Sequence, residues 1–282
     1  MSAPRVVFER RGAGEPLVLL HGIGHHWRAW LPVLDRLAEV HDVVAVDLPG
    51  FGQSPLPDVP PTDMHGLVDA VVEIFTELGL ERPHVAGNSL GGAIALELAG
   101  RGQVASATAL SPAGFCSSRE LRWALGVLSG HRMAARLPEP VLRAMFRVGV
   151  LRHLSFGMIL ARPGRLTVET ALADAQALRA AKAFRMIAKA GRGYAFSGVP
   201  AVPVTVAWGT RDRILPYRQS RQARTRLPQA RHVDLTGCGH VPMHDDPELV
   251  ASVILATTGA ITPDGTVAGG PEGAGGDGFT TG

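Results

Sequence analysis

A chain of 282 residues, 46% apolar and 19% charged, has the composition of a globular protein and the length of one core domain plus an insert. No apolar run approaches the ~18 residues of a membrane span, and the charged N-terminus has no signal-peptide core. Two cysteines, Cys116 and Cys238, are too few to staple the fold and read as free thiols in a reducing, cytoplasmic setting, while the net charge of +3 conceals an asymmetry between a basic segment and an otherwise acidic body.

Short apolar runs ending in Gly or Pro alternate with longer segments of helical period. Pro16 to Leu20 is the first such run; Trp27 to Val40 then places Trp30, Leu31, Leu34, Leu37 and Ala38 at helical spacing. Val43 to Val46 follows, then a second helix from Met64 to Leu78, then His84 to Ala86 and Ala105 to Leu110. Strands alternating with crossover helices predict an α/β fold with a mostly parallel, doubly wound sheet. Trp30 and Met64 read as core.

After Ser111-Pro112-Ala113-Gly114 the pattern turns wholly helical. Ser117 with Glu120 forms a capping box, Pro138-Glu139-Pro140 opens a second helix, and a third runs from Val168 to Lys189. Residues 115–198 are therefore expected to form a helical cap over the C-terminal edge of the sheet, between core segments 1–114 and 199–260. Residues 116–192 hold twelve Arg and two Lys against three Glu and one Asp, a net of +10. Such a segment either attracts an anionic substrate or is a solvated helix surface rich in arginine. Val202 to Ala207 resumes the sheet, Arg231 to Leu235 adds a strand, and a last helix spans Asp246 to Thr257. The Gly-rich residues 261–282 are expected to be disordered, since they have too little apolar content to offset ordering entropy.

The sharpest motif is His84-Val85-Ala86-Gly87-Asn88-Ser89-Leu90-Gly91-Gly92, a strand, a Gly-x-Ser-x-Gly turn and a helix. Gly87 and Gly91 let strand and helix approach, presenting Ser89 at a helix N-terminus. A serine hydroxyl needs a base. His240, last in chain order and behind a strand, fits that role, and Asp212 after Val204 to Gly209 fits the acid that orients it. Only neutral His240 can take the proton from Ser89, so acid is expected to inhibit. The backbone N–H groups of Ile23 and Leu90 are the expected oxyanion donors, with His21 a turn neighbour.

His21-Gly22-Ile23-Gly24, Asp47 to Ser54, the Ser89 turn, Trp208 to Asp212 and Gly239-His240 together resemble the α/β-hydrolase superfamily, over about residues 5–258. The resemblance implies the α/β-hydrolase fold and, through Ser89, a serine rather than an aspartate nucleophile. Asn88 and Cys238-Gly239-His240 are similar to meta-cleavage product hydrolases, but Gly22-Ile23-Gly24-His25-His26 and Val241 depart from that group's pattern. The expected activity is cofactor-free hydrolysis of a carboxylic ester of a hydrophobic small molecule. C–C bond hydrolysis stands as the alternative, and a non-catalytic ligand receptor as the reading from another class.

No metal is expected: the pairs His21 with His25 and His240 with His244 have i, i+4 spacing but lie in loops. No nucleic acid or nucleotide is expected either, because neither a dinucleotide fingerprint nor a P-loop follows the first strand. Leu121, Leu125, Leu142, Met145, Phe146, Leu172 and Phe184 are expected to give the cap an apolar underside, and Arg143, Arg147 and Arg152 are its candidate anion contacts.

Overall fold

The computed structural model describes residues 6–261; the Gly-rich tail, apart from Ile261, lies outside them. Seven strands form one sheet: β1 (Phe8–Arg11), β2 (Glu15–Leu20), β3 (His41–Val46), β4 (His84–Asn88), β5 (Ala107–Leu110), β6 (Val204–Gly209) and β7 (Arg231–Leu235). Their order is β1-β3-β2-β4-β5-β6-β7; β1 runs antiparallel to β3 and every other pairing is parallel.

Because successive strand side chains point to opposite faces, each apolar run feeds two cores. Val18, Leu20, Val44, Val46 and Val85 pack on one side with helices α2 (Met64–Glu77) and α3 (Leu90–Gly100). Leu17, Leu19, Val43, Ala45 and Ala86 pack on the other with α1 (Leu31–Ala38), preceded by a 3₁₀ turn at Trp27–Trp30, and with the C-terminal helix Pro247–Thr258. Burial on both faces explains why the central strands are apolar without alternation.

The insertion between β5 and β6 holds five helices, not three: α4 (Ser118–Ala134), α5 (Glu139–Arg147), α6 (Gly149–Phe156), α7 (Val168–Ala180) and α8 (Phe184–Ala190). Ser117 caps α4 as expected: its Oγ accepts from Glu120 N–H, and the Glu120 carboxylate accepts from Ser117 N–H at 2.8 Å. The expected helix from Val168 to Lys189 is broken by a tertiary contact. Ala181 leaves the helical region (φ −55°, ψ 96°), and the Ala183 N–H donates to the Gly50 carbonyl at 3.1 Å. Helix α9 (Gln219–Arg226) follows β6; its sequence has a single apolar residue, Ala223, and so carries no amphipathic signature. A short helix α10 (Pro242–Asp245) and α11 (Pro247–Thr258) are the last helices among the described residues.

Candidate active site

Ser89, Asp212 and His240 follow the C-terminal ends of β4, β6 and β7, so the parallel sheet itself delivers them to one edge. Ser89 sits at φ 56°, ψ −109°, a conformation that L-residues rarely adopt. The turn is held by its surroundings: Ser89 N–H donates to Leu110 O at 2.9 Å, and Ser89 O accepts from Ala93 and Ala113 N–H, both at 3.0 Å. A Cβ on Gly87 would strike the Gly91 carbonyl, and one on Gly91 the Leu20 carbonyl. Leu90 is the first residue of α3, so its N–H has no intrahelical acceptor.

His240 and Asp212 are both buried, and His240 Nδ1–H donates to Asp212 Oδ2 at 2.8 Å. That bond fixes the tautomer of the neutral ring with Nε2 as the acceptor. The other carboxylate oxygen, Asp212 Oδ1, accepts from Ile214 N–H (2.9 Å) and Leu215 N–H (2.8 Å). Asp212 is thus a turn-forming aspartate and the histidine's partner at once.

Two further residues hold the site together that the sequence did not single out for this role. Asn88 donates through Nδ2 to Leu110 O (3.1 Å) and to His240 O (2.9 Å), joining the serine strand to the histidine loop. Asp245 accepts from Gly239 N–H (2.7 Å), Ala161 N–H (3.0 Å) and Arg162 N–H (2.7 Å), joining that loop to the insertion. Asp47 braces the loop that carries Ile23, accepting from Trp27 N–H (2.7 Å) and Gln53 N–H (2.8 Å); its burial raises its carboxyl above the ordinary range.

Ser89 and His240 line one cavity of about 430 Å³, roofed by α4, α5, α6 and α7. Gly22, Ile23 and Asn88 share its floor; Leu142, Met145 and Phe146 supply apolar wall. Of the other expected cap residues, Leu121 and Leu125 line a smaller adjoining pocket of about 70 Å³, while Leu172 and Phe184 are buried in the packing. Arg143, Arg147 and Arg152 are not among the lining residues. Arg143 pairs with Glu139 at 3.0 Å, and Arg152 donates to Phe146 O at 3.2 Å.

Neither i, i+4 histidine pair forms a ligand set. His21 has no exposed surface; its Nδ1–H donates to Gly22 O (2.7 Å) and its Nε2 accepts from Leu48 N–H (3.0 Å), and burial pushes its pKa down to about 3. His240 is held by Asp212. A different group does converge: His25, His26 and Asp174 bring their ligand atoms within 4.8 Å of one another, and His26 Nε2–H donates to Asp174 Oδ1 at 3.0 Å. Among the described residues no helix is long and apolar enough to cross a membrane, and both cysteines are free.

The model of the alpha/beta hydrolase family matches residues 17–253. An uncharacterised protein of Mycobacterium tuberculosis is 28% identical over 268 residues, covering 89% of this chain and 77% of the relative. The 2-hydroxymuconate semialdehyde hydrolase of a Pseudomonas species is 40% identical over 91 residues, 31% of this chain and 32% of that protein. Among solved structures, a bacterial membrane phospholipase A superposes with a TM-score of 0.72 at 28% identity, covering 89% of this chain and 81% of that one.

Proposed function

The chain belongs to the alpha/beta hydrolase family, and from that premise we propose that it is a serine hydrolase that cleaves a carboxylic ester of a hydrophobic small molecule through an acyl-enzyme. The observation that carries this reading is the buried His240–Asp212 hydrogen bond of 2.8 Å beside a strained Ser89 in the same cavity. Ser89 Oγ attacks the ester carbonyl carbon as its proton passes to His240 Nε2. The N–H groups of Ile23 and Leu90 stabilise the tetrahedral oxyanion. Collapse breaks the C–O bond; the leaving alkoxide takes the proton from His240. Water, deprotonated by His240, then attacks the acyl carbon, releasing the acid and restoring Ser89. No cofactor or metal enters these steps. The helices of residues 115–198 serve as the cap, and their apolar wall favours a hydrophobic acyl or alkyl group.

The same residues support C–C bond hydrolysis as a second reading, favoured by the local similarity to the 2-hydroxymuconate semialdehyde hydrolase. Among the described residues no Lys or Arg lines the cavity, which weighs against a substrate rich in carboxylates and so favours the ester. A fluorophosphonate probe should label the wild type and not Ser89→Ala, and Ser89→Ala should lower kcat on a p-nitrophenyl ester by roughly 10⁴-fold or more while remaining folded. Near-normal turnover by folded Ser89→Ala would end the proposal; an unlabelled wild type would make the protein a receptor. Rapid turnover of a meta-cleavage dienoate, with little of any ester, would promote C–C hydrolysis.

A further inference from the structure

Three side chains that the proposed chemistry does not use face the cavity: His25 from the loop after β2, Asp174 from α7 and His244 from α10. Among the described residues Asp174 is the one carboxylate that lines the cavity, and no Lys or Arg lines it beside Asp174. Its Oδ1 accepts from His26; its Oδ2 has no hydrogen-bond partner among the described residues. His244 Nε2 is also without a partner among them, but it is covered by protein and not open to the cavity. The remaining lining imidazole, His131, has both ring nitrogens 2.8 Å from carbonyl oxygens, of Val127 and Ser155, and no nitrogen left for a ligand.

Burial opposes ionisation of Asp174, but His25 and His26 outweigh it and hold its carboxyl below the ordinary range. Burial also holds His25 (to about 4) and His244 below the ordinary histidine range. Near neutral pH this wall therefore presents an ionised carboxylate beside neutral His25 and His244.

Each kind of substrate group meets that wall differently. A carboxylate meets like charge, with no Lys or Arg among the described lining residues to compensate it. A methyl group leaves Oδ2 facing apolar matter, unpaired. A hydroxyl can donate to Asp174 Oδ2 and so pair it. We propose that Asp174 is a specificity-determining polar pole in the cavity, which selects substrates bearing an uncharged hydroxyl and rejects those bearing a carboxylate. Its kinetic consequence rests on the ester-hydrolase reading; its binding chemistry does not.

The test compares p-nitrophenyl esters of hexanoic acid, 6-hydroxyhexanoic acid and adipic acid (monoester) on wild type and Asp174→Asn. Asn keeps an acceptor for His26 and removes the charge. For the wild type, kcat/KM for the hydroxyl ester should exceed that for the carboxylate ester by roughly tenfold or more. Asp174→Asn should narrow that ratio roughly fivefold, mainly through KM of the carboxylate ester. A carboxylate ester used as well as the hydroxyl ester, or a ratio unmoved by Asp174→Asn, overturns the proposal. If the wild type turns over none of the three, the ester reading fails and calorimetry decides the pole separately. Hexan-1-ol should then bind the wild type, and hexanoate should bind only Asp174→Asn; hexanoate binding to the wild type overturns the pole. Tight binding of Zn²⁺ alone, lost in Asp174→Asn, also overturns it, because His25, His26 and Asp174 would then be metal ligands.

Discussion

Asp245 has no exposed surface, and both its carboxylate oxygens accept from backbone N–H groups, of Gly239, Ala161 and Arg162. It sets the path of the loop that ends in His240 and at the same time anchors the insertion to that loop, where His240 N–H donates to Ile159 O at 2.8 Å. Asp245→Asn turns an amide donor toward at least one of these N–H groups and removes the charge. It should cost about 3 kcal/mol, lowering Tm by roughly 6–12 °C in a chain of this size. It should also reduce kcat/KM without changing the residues proposed for chemistry; a melting curve and an ester assay check both. An unchanged Tm would mean that the three amides find other acceptors. The convergence of Ser89, Asp212 and His240 at one sheet edge was legible in the sequence because each follows a strand, in the chain order of one fold. Asn88, Asp174 and Asp245 were not legible in these roles: their partners lie 22 to 152, 148 and 6 to 84 residues away, and no short motif encodes such contacts.

At the level of elements, the β4–α3 unit couples sequence to site most tightly. Gly91 is a helix residue, where glycine ordinarily weakens a helix by up to ~1 kcal/mol relative to Ala. Here the loss is imposed by packing, because a Cβ would meet the Leu20 carbonyl and lie 2.8 Å from the His21 carbonyl, both backbone atoms of the neighbouring strand end. Gly91→Ala should therefore destabilise the protein by ~3 kcal/mol or more and displace Ser89 from the Gly22 loop, with greater loss of activity than of helix content. Gly126→Ala, on the open face of α4 with nothing within 4 Å, is the control and should be neutral or stabilising. Circular dichroism with esterase activity on both variants separates them. The positions of β2 to β6 were readable to within two or three residues because buried apolar runs announce them. The break between α7 and α8 was not, since Gly50, more than a hundred residues upstream, ends the first helix by accepting from Ala183. Helix α9 escaped notice for the opposite reason: packing at Gln219, Ser220 and Ala223 holds it without an apolar stripe.

For the molecule as a whole, burial of histidine sets how stability depends on pH. The doubly wound sheet takes the first loop through the interior, so His21 loses all contact with water while its two ring nitrogens serve as donor to Gly22 O and acceptor from Leu48 N–H. Only the neutral ring can do both, and its folded pKa of about 3 lies far below the ordinary value near 6.5. The sign follows from linkage. Above ~6.5 both folded and unfolded His21 are neutral and stability is flat; as pH falls below that value the unfolded chain binds a proton that the fold refuses. Stability is lost progressively down to the folded pKa, by about 2 kcal/mol at pH 5 from His21 alone. His25, also depressed by burial, adds to the loss over the upper part of the same window. Asp174 does not contribute there. Its folded pKa lies below the ordinary carboxyl value of 3.8, so its share is present above that pH and is lost only as pH falls through the folded pKa. Urea denaturation at pH 7.5, 6 and 5 should show a falling midpoint at constant m-value. His21→Asn, which is less stable at pH 7.5 because it disturbs a buried hydrogen-bonded ring, should show a fall shallower by about 2 kcal/mol in total between pH 7.5 and 5. Parallel pH dependence in the wild type and His21→Asn would contradict the assignment to His21. Inactivation at pH 5 with an unchanged urea midpoint would instead locate acid sensitivity in the chemistry and not in the fold.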